Sequence, residues 1–127
     1  MKLDAETIHW RLTLAPGYLR AELAGRETAA ETREFLNAVA AATLAHGLRR
    51  VLISVSSSRP LFRVDDFGID AFLKLVAAES GGRVALLSDS DEVRAAHEYI
   101  EVLARQCGAA VRSFRSETPA VEWLKGD

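Results

Sequence analysis

Two short stretches hold the residue types that could do chemistry. The first is Ser56-Ser57-Ser58-Arg59, which follows the apolar run Val51-Leu52-Ile53-Ser54-Val55. Three hydroxyls beside a guanidinium offer phosphoacceptors, or an anion site with Arg59 as the cation. The same serines also read as a solvated turn, because short hydroxyl side chains bond the local backbone. The second stretch is Asp65-Asp66. A carboxylate pair can move a proton or hold a divalent cation, but adjacent aspartates ahead of a helix also act as N-caps. No third metal ligand is identifiable, so no catalytic residue, metal or cofactor is assigned.

Apolar side chains surround these polar groups. Leu61, Phe62 and Phe67 sit in the loop, and Ala71 and Leu75 continue them onto the next helix. Together with Asp65 and Asp66 they make a candidate partner or ligand surface. The other reading is a loop folded back on the core with Phe62 as its anchor. His97 shares a helix with Val93, Ile100 and Ala104 at a spacing that puts it at the inner edge. There it is a base, a ligand contact, or a boundary histidine bonded to neighbouring backbone. His9 falls on the wet face of a strand and His46 at a helix C-terminus. Cys107 is the one cysteine and lies on an apolar face, so it reads as an inert core thiol with no disulfide partner in the chain. No Ser-His-Asp order, Gly-rich phosphate loop, HExxH or CxxC occurs.

The elements that must position these residues follow from periodicity. Residues 8–14 and 19–24 alternate apolar and polar about Pro16-Gly17, which predicts an antiparallel hairpin. Pairing Leu14 with Leu19 sets Leu12 opposite Ala21, Trp10 opposite Leu23 and Arg11 opposite Glu22, and a slip by one would turn every apolar residue outward. Thr28 and Glu31 have capping-box spacing ahead of a helix ending at His46 and Gly47. Phe35, Leu36, Val39, Ala40, Thr43 and Leu44 form its expected core face. Strand 51–55 follows. A second helix is expected from Asp65 or Asp66 to about Glu79, with Ile69, Phe72, Leu73 and Val76 on one stripe and Phe67, Ala71, Leu75 and Ala78 on another. Residues 83–88 read as a strand. Ser90 caps a third helix whose inner face is Val93, Ala96, Ile100, Leu103 and Cys107. Residues 109–114 form a last strand, and Thr118-Pro119 starts a final helix with proline at its first position. Strand–helix alternation after the hairpin argues for parallel pairing.

The chain has 127 residues, with 49% hydrophobic and 27% charged, a balance that fits one globular domain. A net charge of −2 without basic runs gives no reason to expect nucleic acid. Asp4 and Glu6 stand where a signal peptide would be apolar, and no stretch is long enough for stable membrane insertion. A cytoplasmic protein is expected.

The order ββαβαβαβα and the ending Val111-Arg112-Ser113-Phe114 with Ala120-Val121-Glu122-Trp123-Leu124 resemble the SpoIIAA-like (STAS/SEC14) family of small bacterial proteins. The resemblance covers nearly all of residues 1–127. It implies a single α/β domain with a mixed, mostly parallel five-stranded sheet wound as a βα superhelix. In the anti-sigma-factor antagonists of the wider STAS group, a strand leads to an Asp-Ser-Ser-Gly turn whose phosphorylated serine governs partner binding. The corresponding stretch, Asp65-Asp66-Phe67-Gly68, has the aspartate and glycine but carries Asp66 and Phe67 at the serine positions. The resemblance implies a non-catalytic domain acting by protein–protein interaction, as a homodimer or with a regulatory partner. The SEC14 half implies the alternative of a carrier for a small apolar or lipid-like ligand, with a cavity near Phe62 and Phe72. A third reading is an enzyme using Asp65, Asp66 or His97.

Overall fold

Apolar alternation near the start of the chain produces the hairpin that its register requires. Strand β1 (Ala5–Glu6) lies outside β2 (Trp10–Ala15), which pairs antiparallel with β3 (Tyr18–Ala24). Leu14 faces Leu19, Leu12 faces Ala21, Trp10 faces Leu23 and Arg11 faces Glu22, the predicted pairing. Gly17 in the turn has φ 85, a left-handed conformation that favours glycine. The computed structural model describes residues 5–6, 10–25, 28–58, 69–79 and 81–126.

The rest alternates: α1 (Ala29–His46), β4 (Arg50–Ser56), α2 (Ile69–Ala78), β5 (Arg83–Ser88), α3 (Asp91–Cys107), β6 (Ala110–Phe114) and α4 (Glu117–Lys125). The sheet is mixed and its strands follow chain order from β1 to β6, with β3, β4, β5 and β6 parallel. The five expected strands are thus joined by β1, whose two residues are too few to show alternation. Helix α1 is capped as its sequence predicts. The Thr28 hydroxyl oxygen accepts from the Glu31 amide at 3.3 Å, and Gly47 closes the other end at φ 62. The Ser90 hydroxyl accepts from the Val93 amide at the start of α3.

Two cores share the sheet. Helices α1, α2 and α3 bury Phe35, Val39, Leu73 and Val93 against Val51, Ile53, Val55, Val84 and Leu86. Helix α4 covers the opposite face, where Ala120 and Leu124 meet Tyr18, Leu52 and Ala85. Arginines fasten α4 at both ends. Arg50 donates to the carbonyls of Leu124 and Gly126, and Arg83 donates to that of Trp123 while lying over the Trp123 ring, 5.2 Å from its centroid. These are the terminal carbonyls that helix geometry leaves unpaired. At the other end Arg20 bridges Glu22 and Glu117 at 2.8 and 2.7 Å, and its hydrogen bond holds the Glu117 carboxylate below its usual range.

Two expectations, one of a face and one of a boundary, differ from the structure. Leu44, assigned to the core face of α1, is 64% exposed, while Thr32 and Ala42 are buried. Five positions past Val39 is about 140° round a helix, so the buried stripe runs through 32, 35, 36, 39 and 42 and leaves Leu44 outside. Helix α4 begins at Glu117, with Ser116 at the N-cap, so Pro119 is in the first turn rather than at its first position. First-turn amides have no intrahelical acceptor, so proline costs nothing there. For the second helix, the expected start at Asp65 or Asp66 lies outside the described residues.

Leu124 is fully buried and Leu44 is not, so truncation should separate them. Leu124→Ala is expected to cost about 2–5 kcal/mol in urea unfolding and Leu44→Ala less than about 0.5 kcal/mol. Equal losses would contradict this division of the core.

Candidate functional site

The carboxyl ends of parallel strands are where α/β sheets usually present binding groups, and Ser56 ends β4 there. Its carbonyl accepts from the Gly25 amide at 3.1 Å, tying the ends of β3 and β4 together. Ser57 follows with φ 48, and among the described residues it is the one non-glycine at positive φ. That conformation is uncommon for a side chain bearing Cβ. It is held by Asp89, just past β5, whose Oδ2 accepts from the Ser57 amide at 3.0 Å. Ser58 turns its hydroxyl back to the Ser56 carbonyl at 2.9 Å.

The three serines are therefore not equivalent. Ser58 makes the local backbone bond of a polar turn, Ser56 is half-buried, and Ser57 is exposed. A phosphate on Ser57 would stand beside the Asp89 carboxylate, an unfavourable like-charge neighbour. Ser57 thus presents its hydroxyl on a pinned turn. Asp89 was not singled out from the sequence. Its signal was an aspartate directly after a parallel strand, but its partner follows only once β4 and β5 are known to be neighbours. Arg59, Leu61, Phe62, Asp65, Asp66 and Phe67 lie outside the described residues, as does His9.

Ala71 and Leu75 occupy α2. Ala71 is exposed, and Leu75 is half-buried in a groove of about 160 Å³ shared with Leu44 and Leu48, between the carboxyl ends of α1 and α2. Arg49 and Glu79 lie on the same groove. Because these helices run against the parallel strands, the groove sits at the opposite end of the sheet from Ser57. Among the described residues of the expected surface, Leu75 is thus far from Ser57. The groove gains Leu44, which periodicity had placed in the core.

His97 lies deeper than a boundary histidine, at 4% exposure. With Thr32 it supplies the polar part of the wall of an otherwise apolar cavity of about 40 Å³ that also touches Phe35, Phe72 and Ile100. Cys107 is half-buried against the same core. Among the described residues no three His, Cys, Asp or Glu side chains gather as a metal site, and no helix is long and apolar enough to cross a membrane. No known family model, curated protein or solved structure matches the chain.

Glycine adopts the Ser57 conformation without a Cβ penalty. Ser57→Gly is therefore expected to leave stability unchanged or to raise it by up to about 1 kcal/mol in urea unfolding. A loss larger than that would mean that the serine side chain itself holds the turn.

Proposed function

We propose that the chain is a non-catalytic binding domain of the SpoIIAA-like type, acting through protein–protein contact as a homodimer or with a regulatory partner in the cytoplasm. The observation that carries this reading is Leu44, a large aliphatic side chain 64% exposed beside the groove of Leu48 and Leu75. Leucines gathered in this way mark contact surfaces. In a two-fold dimer the same patch faces itself. Arg49 and Glu79 carry opposite charges along this groove, so two copies can approach without net repulsion. Chain-order strands and the ββαβαβαβα element order, with β1 added at the edge, support the family reading.

The second reading, a carrier of a small apolar or lipid-like ligand, has the cavity beside Phe72 and His97 in its favour. Its volume weighs against an acyl chain. An apolar cavity of about 150 Å³ accepts benzene, whereas this one is about 40 Å³.

Light scattering on eluted protein tests the first reading. The chain should elute at twice 13.9 kDa at high micromolar concentration, and Leu44→Lys should elute as a monomer with an unchanged circular dichroism spectrum. The substitution suits the end of α1, because a cation is favourable at a helix C-terminus. A dimer that survives Leu44→Lys would sink the groove as the contact, and a wild type of 13.9 kDa throughout would sink the homodimer.

A further inference from the structure

The turn from β5 into α3 walls a polar pocket of about 370 Å³, lined by Ser88, Asp89, Ser90, Asp91 and Arg94, with Arg115 contributed from beyond β6. That volume falls within the range of about 300–1,000 Å³ common for small-molecule sites. Ser88 sets it apart from ordinary polar surface. It is 7% exposed, and its Oγ is buried with no hydrogen-bond partner among the described residues. Strand alternation sends Ser88 to the same face as Val84 and Leu86, the face on which α3 stands and its first turn meets the pocket. Buried hydroxyls are nearly always bonded, so this one points to a ligand that completes it.

The charges around the pocket narrow the ligand's chemistry. Arg115 stands 3.5 Å from Asp91, and Arg94 stands 3.5 Å from Glu98. Both separations are long for a hydrogen-bonded pair, so each guanidinium retains donors. Asp89 commits Oδ2 to the Ser57 amide and keeps Oδ1. The Ser90 hydroxyl oxygen accepts from the Val93 amide. The amino end of α3 adds partial positive charge, offset by Asp91 and Glu92 in its first turn. A simple anion would meet the Asp89 and Asp91 carboxylates, and a simple cation would meet Arg94 and Arg115. A ligand carrying both charges satisfies both pairs.

We propose that this pocket binds a small zwitterion of the α-amino-acid class. Its carboxylate takes Arg94, Arg115 and the Ser88 hydroxyl, and its ammonium takes Asp89 and Asp91. Among the described residues the lining has no aliphatic or aromatic side chain, so the ligand's own side chain is short and polar, or hydrogen. The site is separate from the α1–α2 groove and does not depend on dimer formation.

Calorimetric titration of the whole chain with glycine and L-serine tests this, with acetate and methylammonium as the two half-molecules at matched ionic strength. Serine or glycine should bind at least about tenfold more tightly than either half. Arg94→Gln and Asp89→Asn should each weaken binding by about tenfold, with circular dichroism confirming the fold. Asp89→Asn keeps an oxygen for the Ser57 amide, so its effect reports the lost charge. Ser88→Ala should weaken binding several-fold while leaving the fold at least as stable, because it removes an unsatisfied hydroxyl. Three outcomes would overturn the proposal. One is no heat from either amino acid at roughly 10 mM. Another is acetate binding as well as serine and more tightly to Asp89→Asn, which would make this a plain anion site. The third is binding unchanged in all three variants, which would place the ligand elsewhere.

Discussion

Strand β4 has to be covered on both sides, because Val51, Ile53 and Val55 leave one face of the sheet while Leu52 leaves the other, and all four are buried. A strand with no wet face suits the interior of a parallel sheet whose faces carry helices. Helices α1, α2 and α3 cover one face, and α4 alone covers the other. Where β4 runs out of both cores its sequence changes to Ser56-Ser57-Ser58, and the groups that can meet a ligand begin there.

The lone helix on the second face is held by more than apolar contact. Arg50 and Arg83 are register partners at the starts of β4 and β5. Two cations side by side would repel, but both reach the carboxyl end of α4, where unpaired carbonyls concentrate negative charge. The sheet's open edge is handled in a similar way. Glu101 on α3 accepts from the Ser113 amide and hydroxyl at 3.1 and 3.2 Å, occupying part of the β6 edge that could otherwise recruit another strand. On the helical side Leu44 is the most exposed large apolar side chain among the described residues.

Most of the fold was legible because its signals are local. Alternation about Pro16-Gly17 determined the hairpin register, and Thr28, Gly47, Ser90 and Gly108 marked helix ends through capping chemistry. What escaped depends on neighbours distant in sequence. Leu44 reads as core from spacing alone until the helix meets the sheet and fixes which stripe faces inward. Asp89 becomes part of the Ser57 turn only through β4–β5 adjacency, and Arg50 and Arg83 become caps only when α4 folds back over the strand starts. Ser88 carried no signal at all, since a serine ending a strand is ordinary until its hydroxyl is buried without a partner.

The proposed homodimer forms through the groove between α1 and α2. Hydrogen–deuterium exchange, measured by mass spectrometry on the wild-type chain at low and high concentration, tests it most directly. Added protection is expected at high concentration over residues 41–48 and 71–79, with none over 117–125. Exchange that is independent of concentration, or protection centred on α4 instead, would contradict the groove dimer.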